Sequence, residues 1–295
     1  MRATLLLSLL AASSGFSQSL QDALHSRIGA VQGTVAIYAK NLDTGATVGI
    51  HESDPVRTAS TIKVPIMAAV YDAVSCGHAK WSDMLTLTAA QRVSGSAILA
   101  GEISDGMKFP LRNLLNLMIT LSDNTATNMI LQRFSTDDVN AYLDKIGIPT
   151  TRALRNVRGD GPDLPSTAGF SAAGKLTQNQ KYGLGVSTAK DMVAILERIE
   201  RGELVNAAAS KEMIAVMKRC QDGSGIRRRM GDLPVANKTG VLDALRSDVG
   251  IVYSKNGRIA MAITVDDMPK IDYSPTNPGS LLIADSAKML VDRLR

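Results

Sequence analysis

The chain has 295 residues, of which 45% are hydrophobic and 21% are charged, a composition typical of one large globular domain or two lobes. Its net charge of +5 is spread along the chain and aromatic residues make up only 4%, which argues against a nucleic-acid binder. The three histidines, His25, His51 and His78, have no metal-binding spacing, and none is paired with a nucleophile motif. We therefore expect neither a metal nor a cofactor.

The N-terminus has the features of a secretory signal sequence. Arg2 supplies a positive charge, an apolar run follows from Leu5 to Ala12, and Gly15-Phe16-Ser17 places small residues at the cleavage-determining positions. We predict a signal peptide over 1–17 and an exported mature protein, periplasmic or secreted. The apolar run is too short to span a bilayer and no lipobox cysteine follows it, so no membrane anchor is expected after cleavage.

The mature sequence begins with strand signals, continues with helical ones and ends with strands again. Helical periodicity predicts helices over 20–28, 62–73, 111–121, 125–134, 136–146, 188–201 and 280–294. Alternating and turn-bounded apolar runs predict strands over 33–38, 46–50, 235–239, 248–253 and 259–265. This order predicts an α+β fold: an antiparallel sheet built from the N- and C-terminal segments with flanking helices, plus an all-α lobe.

We predict a single catalytic domain over 18–295, with an α/β lobe (18–57 and 205–295) and a helical lobe (58–204). The crevice between the lobes is the expected site, and the long irregular segment 147–186 is expected to form its lid or wall. In an oxidising compartment Cys76 and Cys220 could pair or remain separate buried thiols, and the sequence leaves both open.

Three short strings in one order carry the chemistry: Ser60-Thr61-Ile62-Lys63, Ser122-Asp123-Asn124 and Lys238-Thr239-Gly240. They spell S-x-x-K, S-D-N and K-T-G, a trio shared by serine enzymes that acylate their nucleophile. Each string alone is weak evidence. A second S-x-x-K occurs at 187–190 and is interpreted as a helix start without chemistry.

The residue types in these strings suit nucleophilic catalysis without histidine. Ser60 precedes an apolar helical run, and a helix N-terminus favours developing negative charge. Lys63 lies one helical turn later and can accept the Ser60 proton only when it is neutral. Burial and a second cation both lower the pKa of a lysine, and Lys238 could be that cation.

The chain resembles the class A serine β-lactamase family and its penicillin-recognising relatives over nearly all of its mature length. The resemblance is carried by Thr58–Lys63 (TASTIK), Leu117–Asn128 (LMITLSDNTATN) and Val235–Gly240 (VANKTG). It implies a β-lactamase/transpeptidase-like fold, a monomer, and a small-molecule substrate that is a β-lactam or a D-alanyl peptide.

The resemblance also implies a role for each matching residue. Ser60 is acylated, Lys63 is the general base or its partner, and Ser122 protonates the leaving nitrogen. The backbone N–H groups of Ser60 and Val241 form the oxyanion hole. The residues implied in substrate binding are Asn124 for the side-chain amide, Lys238, Thr239 and Gly240 for the carboxylate end, and Arg227 or Arg246 as an additional carboxylate partner.

The chain departs from the family in the lid loop, where the family carries Glu-x-x-Leu-Asn and uses the glutamate to activate the deacylating water. No glutamate occurs here between Glu102 and Glu197. Asp160 is the nearest candidate by position, but it is one methylene shorter and is flanked by glycines, as a turn residue would be. Three functions stay open: β-lactam hydrolysis through a Ser60 acyl-enzyme with impaired deacylation, a penicillin-binding D-alanyl-peptidase or esterase, and a β-lactam binder without turnover.

Overall fold

The computed structural model of the protein describes residues 20–93, 95, 98–158 and 169–295. The predicted signal sequence and Asp160 lie outside the described residues. Within the described part of the chain, no helix is long and apolar enough to cross a membrane.

The described part of the chain begins with a helix and two strands, ends with three long strands and a helix, and has mostly helices and short strands between them. The strands are β1 (Thr34–Asn41), β2 (Thr47–Ile50), β3 (Val56–Arg57), β4 (Met84–Thr86), β5 (Lys108–Pro110), β6 (Arg152–Ala153), β7 (Gly185–Ser187), β8 (Val235–Leu242), β9 (Leu245–Ser254) and β10 (Gly257–Asp266). The helices are α1 (20–28), α2 (Lys63–Ser75), α3 (Leu111–Thr120), α4 (Asn124–Arg133), α5 (Thr136–Lys145), α6 (Thr177–Gln180), α7 (Ala189–Glu200), α8 (Ala207–Lys218) and α9 (Pro278–Arg293).

The main sheet joins the two ends of the chain, which confirms the predicted α+β class. Its five strands are antiparallel in the order β2–β1–β10–β9–β8, and the register of β1 on β10 pairs Thr34 with Asp266. The smaller sheets are β3–β7–β6 and β4–β5. The strand that carries Lys238-Thr239-Gly240 is therefore at the edge of the main sheet.

Side-chain alternation along β10 shows why both faces of this sheet are covered. Ile259, Met261, Ile263 and Val265 belong to a buried cluster with α1 and α9, whereas the small residues Ala260 and Ala262 face the cluster formed by the helices. The period of two places large side chains on one face and small ones on the other, so helices can approach the second face closely.

The helical layer is built around α2. Every side chain from Ile62 to Ala68 is buried, and α2 packs against α3, α5 and α8. A helix buried on all sides over its first turns needs no amphipathic stripe there, which agrees with the near-continuous apolar run at 62–73. The helix α8 was not predicted from the sequence, and α7, which the predicted lobe boundary assigns to the helical lobe, packs on β10 and β1.

Candidate active site

Ser60 lies on a tight 3-10 turn, Ala59–Ile62, that leads directly into α2. Ser60 is partly exposed, whereas Ala59 and Thr61 on either side of it are buried. Ala59 adopts a left-handed backbone with φ of 44°, a conformation that costs a non-glycine residue of order 1–3 kcal/mol. The surrounding structure thus holds the serine at a sharp corner and presents it to solvent.

Lys63, one turn after Ser60, is fully buried and points to the Ser122-Asp123-Asn124 corner. Its Nζ donates to the Ser122 carbonyl oxygen at 2.8 Å, to Asn124 Oδ1 at 2.7 Å and to Ser122 Oγ at 3.2 Å. A neutral amine retains two N–H groups, enough for the two shorter bonds, and has a lone pair left over. These contacts therefore suit a lysine that accepts a proton.

The Ser122-Asp123-Asn124 corner separates α3 from α4 and is fixed by its aspartate. The buried Asp123 carboxylate accepts from the Ala126 N–H at 2.8 Å as the N-cap of α4, and from the Ile98 and Leu99 N–H groups at 3.1 and 3.2 Å. Ser122 is left-handed, with φ of 57°. The aspartate therefore holds the backbone that aims the Ser122 hydroxyl at the two lysines.

The third string brings Lys238 to the same hydroxyl. Lys238 is fully buried, and its Nζ donates to Ser122 Oγ at 2.9 Å and to the Thr239 carbonyl oxygen at 2.8 Å. A Cβ on Gly240 would lie 2.7 Å from the Thr58 carbonyl oxygen and 3.2 Å from the Ser60 backbone nitrogen. Only glycine lets β8 approach the Ser60 turn this closely.

Burial and mutual repulsion set the charge state of the two lysines. Burial, and then the charge of Lys238, lower the pKa of Lys63 well below its ordinary value, against a smaller opposing effect of Asp123. Burial also lowers the pKa of Lys238, and the acidic groups of Cys220, Asp248 and Asp222 oppose that shift. Lys63 is therefore the lysine of the pair that loses its proton more readily and is available as a neutral base.

The model of the beta-lactamase enzyme family matches residues 16–294 of this chain. The chain belongs to that family. Among curated proteins, the beta-lactamase regulatory protein BlaB of Streptomyces cacaoi is 23% identical, over 94% of this chain and 97% of its own length.

Several solved structures share this fold over almost their whole length. A beta-lactamase from Sphaerobacter thermophilus has a TM-score of 0.78 and 25% identity over 92% of this chain and 95% of that one. PBP-A has a TM-score of 0.76 and 26% identity over 93% of this chain and 95% of its own. A mutant of PBP-A, solved as its acyl-enzyme complex with penicillin G, superposes with a TM-score of 0.75 and 24% identity over 95% of this chain and 96% of its own. These likenesses confirm the fold expected for a β-lactamase-like chain.

In this beta-lactamase-family protein, the guanidinium groups of both predicted arginines are hydrogen-bonded to other groups of the chain. Arg246 is buried, donates to the carbonyl oxygens of Leu242 and Leu245 at 2.6 Å and to that of Asp272, and stacks on Tyr273. These bonds hold the Arg246 guanidinium group between the end of β8, the start of β9 and the loop at Asp272.

Arg227 is held in a similar way at the other side of β8. Its Nη2 donates to the carbonyl oxygen of Val235 at 2.7 Å, to that of Lys218 at 3.2 Å and to Asn237 Oδ1 at 3.1 Å. Val241, whose N–H is the predicted oxyanion donor, lies opposite Arg246 in the β8–β9 pair and has an exposed side chain.

Two hydrogen bonds join α4 to the segment that is expected to form the lid. Asn128 on α4 donates from Nδ2 to the Val157 carbonyl oxygen and accepts at Oδ1 from the Val157 N–H, both at 2.9 Å. Asn128 is buried and Val157 is half-buried, so this pair joins the loop to the helix that follows Ser122-Asp123-Asn124. Asp160 lies outside the described residues.

Sequence reasoning missed a polar group behind β8. Asp248 is fully buried and accepts from the Ile226 N–H at 2.8 Å and from Asn237 Nδ2 at 3.1 and 3.2 Å. Burial raises its pKa to about 7, since the hydrogen bonds offset only part of the desolvation. The alternation of β9 could have identified it, because an aspartate at an inward position of an edge pair needs a partner.

The remaining predicted features concern cysteines and metals. Cys76 is exposed and Cys220 is buried, and both are free thiols. Among the described residues, no group of three or more His, Cys, Asp and Glu side chains is arranged to hold a metal ion.

Proposed function

We propose that this protein opens β-lactam rings by forming an acyl-enzyme on Ser60. One observation carries the proposal: the Ser122 hydroxyl lies between two buried lysines, one of them a turn from Ser60 and the other on the strand beside it. Membership of the beta-lactamase family supports a β-lactam as the substrate, and so does the penicillin G acyl-enzyme of a PBP-A mutant.

Acylation begins with proton transfer from Ser60 to Lys63. The pKa of Lys63 is lowered by burial and by the charge of Lys238. The amine is therefore neutral at a lower pH than an ordinary lysine would be, and it can act as a base. Ser60 Oγ attacks the lactam carbonyl carbon, and the backbone N–H groups of Ser60 and Val241 stabilise the oxyanion. Gly240, which directly precedes Val241, lies close to the Ser60 backbone nitrogen. This closeness supports a position in which both N–H groups donate to the same oxygen.

Ring opening requires a proton for the leaving nitrogen, and Ser122 supplies it. Its oxygen accepts from Lys63 and Lys238, so its own hydrogen can point toward the substrate. Lys63, protonated in the first step, then restores the proton to Ser122. Lys238 holds the hydroxyl in place, and Asn124, bonded to Lys63, orients the substrate amide.

Slow deacylation is the second candidate behaviour, and the absence of glutamate between Glu102 and Glu197 favours it. With the lid lacking the family's water-activating residue, the acyl-enzyme would persist and the protein would act as a penicillin binder. The names of PBP-A and of the regulatory protein BlaB fit this candidate. Asp160 is the residue that would restore turnover if it reaches the acyl group.

Time-resolved intact-protein mass spectrometry with penicillin G tests both candidates. An adduct on Ser60 that forms and clears indicates a hydrolase, and one that forms and stays indicates a binder. Ser60→Ala should abolish the adduct. Ser187→Ala alters the serine of the second S-x-x-K, whose buried hydroxyl bonds Thr151 Oγ1 at 2.7 Å and the Thr188 carbonyl oxygen at 3.2 Å and, within the described part of the chain, no group of the Ser60 site, and should leave labelling intact. Turnover of a D-alanyl peptide or ester without a β-lactam adduct would reject the proposal in favour of a peptidase or esterase.

We propose that residues 1–17 are removed on secretion and that the mature protein is a monomer in the periplasm or medium. N-terminal sequencing of the exported protein should start at Gln18, and sedimentation should give the mass of one chain. Retention of the full-length chain in the cytoplasm would contradict this.

A further inference from the structure

A cavity lies between α2 and α8, at the far end of α2 from the Ser60 turn. Its lining includes Tyr71 and Ser75 of α2, Trp81 of the loop that follows, and Asn206, Ala209 and Glu212 at the start of α8. Its volume is about 140 Å³, close to the ~150 Å³ of a cavity that holds one benzene ring. At about 1.5 Å per residue along α2, Tyr71 is about 12 Å from Lys63, so this cavity is separate from the Ser60 site.

Trp81 forms an aromatic wall of the cavity and is already paired with a cation of the chain. The Cζ atom of Arg112 lies 4.4 Å from the centroid of the indole ring, and Tyr71 meets this ring in a T-shaped contact with centroids 4.6 Å apart. Arg112 Nη1 also donates to Glu212 Oε2 at 2.9 Å. Because Arg112 balances the charge of Glu212, the cavity favours an uncharged ligand over an ammonium ion.

The Tyr71 hydroxyl is buried and poorly satisfied. Tyr71 is 3% exposed, and its Oη lies 3.4 Å from Glu212 Oε2, beyond the usual length of about 2.5–3.0 Å for an O–H···O bond. Burial, and next the charge of Glu212, raise the pKa of Tyr71 to about 12, so the hydroxyl keeps its proton. Both bonds to Glu212 in the described part of the chain end on Oε2, which leaves Oε1 to accept from another donor. A ligand hydroxyl could therefore accept from Tyr71 and donate to Glu212.

The other polar groups of the cavity leave little for a second hydroxyl. Asn206 Nδ2 donates to Ser75 Oγ at 3.0 Å, so these two side chains are bonded to each other. Val74 and Ala209 add apolar walls. A sugar would bring several hydroxyls that the cavity does not pair, and each unpaired polar group weakens binding, whereas a phenol brings only one.

We propose that this cavity binds an uncharged phenol, an aromatic ring that carries one hydroxyl group. The ring lies against Trp81 and Ala209, and the hydroxyl accepts from Tyr71 and donates to Glu212 Oε1. This inference goes beyond the proposed function, because none of these residues belongs to the Ser60 site. The small number of non-hydrogen atoms in phenol limits the expected Kd to the order of 1 mM.

Titration with phenol, followed by heteronuclear NMR, tests the binding directly. Trp81 is the only tryptophan of the chain, so its indole N–H gives a single resonance that reports on this cavity. We expect that resonance to shift saturably with a Kd of the order of 1 mM. Anisole has the same ring but cannot donate a hydrogen bond to Glu212, so it should bind about fivefold more weakly than phenol.

Two variants with matched controls locate the site. Ala209→Leu fills the cavity and should abolish the shift, whereas Ala215→Leu makes the same change at an exposed position of α8 and should bind phenol like wild type. Glu212→Met removes the acceptor and should weaken phenol binding about fivefold without affecting anisole. Glu203→Met removes an exposed carboxylate outside the cavity and should affect neither compound. Thermal denaturation checks the fold of each variant, and Glu212→Met, at an exposed residue, keeps the test decisive if Ala209→Leu fails to fold.

Each other result overturns the inference. A wild-type resonance that does not shift saturably with phenol rejects it outright. Equal affinity for phenol and anisole, or unchanged phenol affinity in Glu212→Met, rejects the hydroxyl bridge. Unchanged binding to folded Ala209→Leu places the phenol elsewhere. Ser60→Ala should bind phenol like wild type, and a loss of binding there would place the phenol in the catalytic site. Labelling of Ser60 by penicillin G is measured separately, so failure of the phenol site and failure of the proposed function are distinguished.

Discussion

Replacing Asp248 by asparagine should remove the pH dependence of stability that this residue imposes. Asp248 is fully buried behind the strand that carries Lys238, and burial raises its pKa from 3.8 to about 7. Below about pH 4 the carboxyl is protonated in both the folded and the unfolded chain, so it costs nothing. Between about pH 4 and 7 only the unfolded chain has lost the proton, so the wild-type protein loses stability as the pH rises.

The size of the effect follows from the two pKa values. A tenfold change in an equilibrium constant is about 1.4 kcal/mol, so a rise from 3.8 to about 7 destabilises the ionised form by about 4 kcal/mol. In wild type, Asn237 Nδ2 donates to a carboxylate oxygen of Asp248 at 3.1 Å. In Asp248→Asn the new NH2 group would take the place of that oxygen, and the loss of this hydrogen bond costs about 1–2 kcal/mol of stability. We therefore expect the variant to be less stable than wild type at pH 4 by about 1–2 kcal/mol and more stable at pH 8 by about 2–3 kcal/mol.

Urea denaturation at pH 4 to 8, followed by far-UV circular dichroism and by the fluorescence of Trp81, measures this difference. Subtracting the wild-type free energy of unfolding at each pH cancels the groups that titrate equally in both proteins. Asp232→Asn, which removes an exposed carboxylate, should give a flat difference. A flat difference for Asp248→Asn would refute the argument that this carboxyl is held protonated by burial.

Three further substitutions probe the site. Lys63→Gln should slow acylation by about 10²–10⁴-fold, because the base is lost. In wild type the acylation rate should fall as the pH drops through the lowered pKa of Lys63. A rate independent of pH below about 10 would contradict a neutral amine as the base. Asn128→Ala removes both bonds to Val157, so limited proteolysis should cut the lid faster and stability should fall by about 1–3 kcal/mol, whereas unchanged cleavage would show that the loop is held elsewhere. Gly240→Ala forces β8 away from the Ser60 turn and should reduce acylation about 100-fold at nearly unchanged far-UV circular dichroism, and full activity would mean that the close approach is not needed.

The sequence predicted the elements that carry strong local signals. Periodicity placed α3 at 111–121 and the structure has Leu111–Thr120, and Asp123 after it is the N-cap of the next helix. The second S-x-x-K is confirmed as a helix start, since the Thr188 hydroxyl accepts from the Asp191 N–H. Such features depend on residues a few positions apart, which a sequence displays directly.

The rest depends on contacts between distant segments. The helix α8 was missed although Asn206 is its N-cap and Met213 and Met217 share its buried face, because its Ala-rich first turn shows little periodicity. The pair of hydrogen bonds between Asn128 and Val157 joins residues 29 positions apart in the chain. No local pattern encodes that contact, so the attachment of this loop to α4 emerged only from the fold.

The pairing of Thr34 with Asp266 has a consequence for how the molecule is made. β1 leaves the ribosome early, but its hydrogen-bonding partner β10 is among the last segments to be synthesised. Contacts this far apart in sequence must pay the entropy of closing a very long loop, which slows folding. The helical middle can collapse on local contacts while β1, paired only with β2, still lacks β10 along its other edge, and an open apolar strand edge is a site for aggregation. The strand that carries Lys238-Thr239-Gly240 belongs to the same late C-terminal segment, so the catalytic arrangement cannot assemble before that segment is made.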